Sequence, residues 1–234
     1  MGLEETLAQK LEIRRPLLPK PVSDGNGSFE IPEGHLLRDV VYAMQGIDGK
    51  YIKFDKAQDA FCVSRAHGVP AATRDLISRI CEAGWMYRKV STFVKWSMER
   101  RSVGLVAQGL AAGLQRELTE YYRLVAVLQA HVQSDAELSD SPSGDGSGKM
   151  TLRRLLVWVH EPSARLRAMS MLCDAASSPK AGAGGGSGGG LLRGGQLCTA
   201  LSTLARHGDA CVSSVVERVL KVACAPILKM VQRL

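Results

Sequence analysis

Apolar residues recur every three or four positions through each long segment of this chain, and that spacing commits it to amphipathic helices. Leu36, Leu37, Val40, Val41 and Met44 share one face, and Gly46 supplies a helix stop. Thr73 is a predicted N-cap for a helix carrying Leu76, Ile77, Ile80 and Cys81, with Gly84 as its stop. The longest stripe is Val106, Leu110, Leu114, Leu118, Tyr121, Val125, Leu128 and Val132. At helical rise it runs roughly 40 Å. Leu152, Leu155, Leu156 and Val159 predict another helix, ended near Pro162, and Leu166, Met169, Leu172 and Cys173 a further one. Leu197, Leu201 and Leu204 precede a turn at His207-Gly208-Asp209, after which Val212, Val215, Val216, Val219, Leu220 and Ala223 resume the pattern, with Pro226 expected to kink or break it. Only one region departs from this period. Residues 51–54 and 61–63 flank a polar stretch after the Asp48-Gly49 turn signal, which predicts a small β-hairpin. The expected fold class is therefore all-α, in elongated helical bundles with at most one hairpin. No repeat of fixed length appears, so a regular solenoid is disfavoured.

Composition marks the breaks between these helices. Residues 1–34 read as a flexible lead, Pro-, Gly- and Ser-rich from residue 14 onward. Residues 134–149 and 177–195 read as mobile insertions, the second almost pure Gly and Ser at its centre. The helical domain is expected over 35–234.

Several function classes find no support. No apolar run reaches the roughly 20 residues of a bilayer span, and the charged N-terminus has no apolar core of a secretory signal; no membrane partner is expected. The 6 cysteines show no C-x-x-C spacing. They read as reduced, mostly buried small hydrophobes. The net charge of +7 is spread along the chain among acids, without a nucleic-acid-binding signature. Gly144–Thr151 resembles a phosphate-binding loop but has Ser143 and Met150 where that loop needs Gly and Ser or Thr. His207 and Cys211 lie four apart without the second pair a structural zinc needs. His160 beside Glu161 reads as a helix-end pair. No catalytic, cofactor or metal residues are assigned, and the chain is read as non-enzymatic.

The large aromatics Trp85, Trp96 and Trp158 are expected in the core, with Trp158 beside Leu152 and Leu155 and with Arg153 and Arg154 facing outward. Adjacent Tyr121 and Tyr122 cannot share a helix face. One belongs to the core, and the other to a boundary that satisfies its hydroxyl or to a partner surface.

Four segments stand in a fixed order: Leu37-Arg38-Asp39-Val40 running on to Gln45-Gly46-Ile47-Asp48-Gly49-Lys50; Gly84-Trp85; Glu117-Leu118 with Glu120-Tyr121-Tyr122-Arg123-Leu124; and Leu152-Arg153-Arg154-Leu155 with Trp158. With His207-Gly208-Asp209, this ordered set resembles the N-terminal part of gamma-tubulin complex components, the Spc97/Spc98 family, of the component-three (Spc98) type. Residues 51–55 and 88–90 lean toward a plant or green-algal member. The resemblance covers about 35–234.

It implies a helical N-terminal GRIP domain that packs beside neighbouring components in a microtubule-nucleating ring. The expected location is the cytoplasm and cytoskeleton, at the microtubule organizing center or spindle pole. The expected partner is a component-two-type chain. Gamma-tubulin would be bound only through a C-terminal half that family members carry beyond the position of Leu234. Arg38, Asp39, Gln45 and Asp48 are the candidate lateral contacts, and equally fit helix capping and turn formation. A helical interaction adaptor outside the family, or a basic nucleic-acid-binding helical protein, are the alternatives.

Overall fold

A computed structural model describes residues 31–63, 68–100, 103–138, 149–177 and 191–233, with side chains omitted for 135–138. Within them lie six helices and one hairpin: α1 (Glu33–Met44), β1 (Ile52–Asp55), β2 (Ala60–Val63), α2 (Ala71–Glu99), α3 (Leu105–Leu138), α4 (Leu152–Ala176), α5 (Gly194–Ala205) and α6 (Ala210–Val231). The all-α class with one antiparallel hairpin is as expected, and its register pairs Ile52 with Val63 and Phe54 with Phe61. The predicted lead 1–34 and the insertions 134–149 and 177–195, including the Gly-rich centre, lie mostly outside the described residues. Inside them, α1 begins at Glu33, α3 continues to Leu138 and α5 begins at Gly194.

The helices differ from the sequence reading at four points. Gly84 does not end a helix: α2 runs through it from Ala71, which also places Thr73 inside the first turn rather than at the cap. The predicted stop was a glycine in left-handed conformation, but this glycine serves close approach instead. Pro162 and Pro226 both lie inside continuous helices, α4 and α6. Proline removes one N–H donor, yet the buried Val159 and Leu166 on either side of Pro162, and the buried Val219 and Ala223 before Pro226, keep these helices packed.

The described residues divide into two compact units, 31–88 with 119–163 and 89–118 with 164–233. In the first, Leu36, Val40 and Met44 of α1 are buried, as are Ile77 and Ile80 of α2, Val125 and Leu128 of α3, and Leu155 of α4. In the second, α3 meets α6 closely. A Cβ added at Gly109 would lie 3.0 Å from the Ala223 Cα, and one at Gly113 would lie 3.2 Å from a Val219 methyl. Glycines four apart expose one stripe of α3 backbone, against which small residues of α6 pack. Lys89–Asp174 (2.7 Å) and Arg218–Glu117 (2.9 Å) are ion pairs of this unit.

The turn between α5 and α6 explains His207-Gly208-Asp209. The Asp209 N–H donates to His207 Nδ1 (3.1 Å), and the Asp209 carboxylate caps α6 by accepting from the Cys211 N–H (2.9 Å). Cys81 and Cys173 are buried, whereas the other four cysteines are partly exposed, fewer buried than the sequence implied. Cys62 lies on the hairpin, and Cys198, Cys211 and Cys224 lie on the flanks of helices. Burial pushes the Cys81 and Cys173 thiols well above the ordinary cysteine range and Cys198 to about 11, where a hydrogen bond from Cys224 adds to the effect. Thiols held protonated are poor nucleophiles.

Candidate interaction surface

The first segment, Gly84-Trp85 and Tyr121-Tyr122 meet around the C-terminus of α1 within the first unit, whereas Glu117 and Leu118 belong to the second unit. Helix α1 ends in a Schellman turn: Gly46 takes φ +75°, its N–H donates to Ala43 O, and the Ile47 N–H reaches back to Tyr42 O (3.1 Å). A side chain at Gly46 would also strike Arg88 Cγ at 2.6 Å. One turn earlier, α1 crosses α2 at Gly84. There a Cβ would lie 1.9 Å from the Ala43 carbonyl oxygen, so this position tolerates only hydrogen. Gly84-Trp85 is thus a helix crossing. Trp85 itself is half-buried, as is Trp96 of the second unit, under the Arg100 guanidinium (4.8 Å).

Tyrosines of α3 complete the site. Tyr121 is buried and its hydroxyl donates to Met44 O (3.0 Å), satisfying a carbonyl that the end of α1 leaves open. Burial raises the Tyr121 phenol far above its usual range, so it remains a donor. Tyr122 faces outward and accepts a 2.6 Å hydrogen bond from Tyr87, whose ring stacks on Tyr121 at 5.7 Å. The two adjacent tyrosines therefore divide between core and boundary, as expected.

The four candidate contacts occupy different environments. Asp39 is only 5% exposed. Its carboxylate accepts the backbone N–H groups of Tyr51 and Ile52, fixing the start of the hairpin to α1. Gly49 is required beside it, since a Cβ would meet the Asp39 carboxyl carbon at 2.6 Å. Asp48 is exposed and accepts the Phe54 N–H (3.0 Å), an intrachain turn bond. Gln45 is half-buried, with its amide donating to Gln129 of α3 (3.2 Å). Arg38 is exposed. Arg38, Tyr42 and Gln45 fall on one stripe of α1. Arg38, Val41, Tyr42, Gln129, Val132 and Gln133 line a groove between α1 and α3. The structure thus places Arg38 in the groove, Gln45 against Gln129 of its far wall, and Asp39 and Asp48 in backbone-bonding roles.

Three contributors escaped the sequence reading. Gln129 and Gln133, four apart on α3, form the far wall; their polar spacing beside a long apolar stripe was the available signal. Arg88 lies over Phe54 at 3.9 Å and locks the hairpin to α2. A cation three residues after Trp85 carried no such message, because the hairpin beneath it is distant in sequence.

The fourth segment forms the start of α4. Thr151 caps it by accepting the Arg154 N–H (3.2 Å), and Glu33 of α1 accepts the Leu152 N–H (2.8 Å). A carboxylate there also suits the helix dipole. Leu152, Leu155 and Val159 are buried, and Arg153 and Arg154 face outward as expected, but Trp158 is 43% exposed rather than in the core. At 100° per residue, Trp158 stands roughly 80° off the centre of the buried stripe, which the i, i+3 spacing from Leu155 concealed. Among the described residues no cluster of three or more metal-ligating side chains occurs, and no helix is long and apolar enough to cross a membrane.

The family model described as "Gamma tubulin complex component N-terminal" matches residues 37–233. The chain belongs to the gamma-tubulin complex component family. It is 39% identical over 206 residues to "Gamma-tubulin complex component 3" of Arabidopsis thaliana, covering 87% of this chain and 23% of that protein. The human protein "Gamma-tubulin complex component 3" is 33% identical over 210 residues, covering 90% of this chain and 22% of its own length. "Spindle pole body component 98" of Dictyostelium discoideum is 28% identical over 248 residues, covering 88% and 29% respectively. The chain thus spans less than a third of the length of each of these relatives.

Proposed function

We propose that this chain is a structural, non-enzymatic assembly module of a gamma-tubulin complex, acting at the cytoskeleton, at a microtubule organizing center or spindle pole. Its partners are other complex components, a component-two-type chain first among them. The observation that carries this reading is the groove that the first family segment forms with α3, lined by Arg38, Tyr42, Gln129 and Gln133, beside the Gly84 crossing and the Tyr121 hydrogen bond. Asp39 and Asp48 fix the loop after α1, while Arg38 and Gln45 present polar groups whose pattern can set the register of a neighbour. Gamma-tubulin binding is assigned to the part of the relatives that this chain does not span.

Isolated lateral affinity should be modest, because a ring joins many such contacts. A pull-down with this chain should recover a component-two-type chain and no gamma-tubulin, whereas a version extended by the relatives' C-terminal region should recover both. Equal gamma-tubulin recovery by the two versions, or no component-two-type chain with either, would overturn the reading.

A further inference from the structure

We propose that Cys198 of α5 and Cys224 of α6 form a reversible oxidation site, which closes to a disulfide when the chain meets a peroxide. The Cys224 thiol donates to Cys198 Sγ at 3.4 Å, although 26 positions separate the two in sequence. Each follows a buried residue, Leu197 and Ala223, and is itself half-buried. Packing therefore holds the pair at the rim of the core, near enough to react and open enough for a small oxidant to enter. The sulfurs must close by roughly 1.4 Å to reach a bonding distance of about 2.05 Å, a movement within the swing of a thiol about χ1. The other thiols are placed differently. Cys81 and Cys173 are buried. Cys62 lies on the hairpin in the first unit and bonds Gln58 at 3.3 Å. Cys211 lies in the first turn of α6, roughly three and a half turns from Cys224.

The step balances with hydrogen peroxide as the oxidant. One thiolate attacks a peroxide oxygen; the S–O bond forms, the O–O bond breaks, and hydroxide leaves as water, giving a sulfenic acid. The second thiol attacks that sulfur; the S–S bond forms, the S–O bond breaks, and a second water leaves with the thiol's proton. Two thiols are oxidised and one peroxide is reduced to two waters. Burial and the Cys224 thiol hold the Cys198 pKa up at about 11. Selectivity therefore comes from proximity, which captures the sulfenic acid, and not from an activated thiolate. The new bond acts on one joint. Ala223, beside Cys224, is where α6 lies against Gly109 of α3, so a tie from α5 to this point stiffens the crossing of α3 and α6. The pair and the crossing both belong to the second unit.

The test is graded hydrogen peroxide on the full chain, followed by alkylation, trypsin and mass spectrometry without reductant. Cleavage after Arg193, Arg206, Arg218, Lys221 and Lys229 puts Cys198, Cys211 and Cys224 on separate peptides. The expected product joins 194–206 to 222–229, two hydrogens lighter than the free peptides together, and dithiothreitol reverses it. The oxidised chain should melt several degrees higher, because the bond closes a loop of about 27 residues in the unfolded chain. Amides of α3 around Gly109 should exchange more slowly. Cys198→Ser and Cys224→Ser should each abolish the linkage and the shift, and Cys211→Ser should change neither. Linkage of Cys198 to Cys211 instead, or oxidation of both cysteines to sulfinic acid without a linked peptide, would overturn the proposal. A linked peptide with no change in melting or in exchange near Gly109 would overturn the effect on the crossing and leave the oxidation site standing.

Discussion

Two helix crossings built on glycine, one in each unit, tolerate very different changes. At Gly84 the backbone of α2 meets the backbone of α1, and the Ala43 oxygen occupies the space a methyl would need, at 1.9 Å. Around it, buried polar groups are paired: Tyr121 to Met44 O, Asp39 to two hairpin N–H groups. The crossing of α3 and α6 is looser, with apolar residues at its centre and the Arg218–Glu117 ion pair beside it. Gly109 approaches backbone at 3.0 Å, but at Gly113 the nearest atom is a valine methyl at 3.2 Å, which can move, with Val219 backbone at 3.4 Å, an ordinary contact. The lesson is that similar apolar periodicity can specify either a rigid, polar-pinned joint or an adaptable one. Here the rigid joint coincides with the ordered sequence segments.

The comparison breaks most easily at Asp39. Asp39→Ala leaves two backbone donors of the hairpin start without their acceptor, and should cost about 3 kcal/mol by denaturant unfolding. Asp39→Asn, which keeps an acceptor, should cost less. Equal losses for the two would mean that the carboxylate's hydrogen bonds are not what holds the hairpin.

Glycine substitutions sharpen it next. Gly84→Ala should lose about 2 kcal/mol, because overpacking outweighs the roughly 1 kcal/mol that alanine gains in helix propensity. Gly109→Ala should lose less, and Gly113→Ala should be close to neutral as the two effects cancel. Thermal melts of the three variants should follow that order. A Gly113→Ala variant less stable than Gly84→Ala would reverse the assignment of the rigid joint.

Much of this was legible in sequence. The three-to-four spacing located every helix, and the Asp48-Gly49 turn with its flanking aromatics located the hairpin. Gly46 was readable because a left-handed C-terminal position has a local signature. Gly84 was not, since close approach depends on α1, some forty residues away. Pro162 and Pro226 misled for the same reason: tertiary burial, on both sides of Pro162 and before Pro226, outweighs one missing hydrogen bond. Trp158 was misplaced because a tryptophan three residues from a core leucine can fall on either flank of the stripe. Of the four candidate contacts, residue type alone could not separate the groove-lining Arg38 and half-buried Gln45 from Asp39 and Asp48, which bond to backbone. Their partners, Gln129 and the hairpin N–H groups, become neighbours only once the chain has folded.

The most direct test of the assembly surface is hydrogen exchange of the full chain with and without a component-two-type partner. Residues 38–48 and 129–133 should gain protection on binding, while α5 and α6 exchange as they do alone. Protection confined to α5 and α6, with 38–48 and 129–133 unchanged, would contradict the placement of the lateral contact on the groove of α1 and α3.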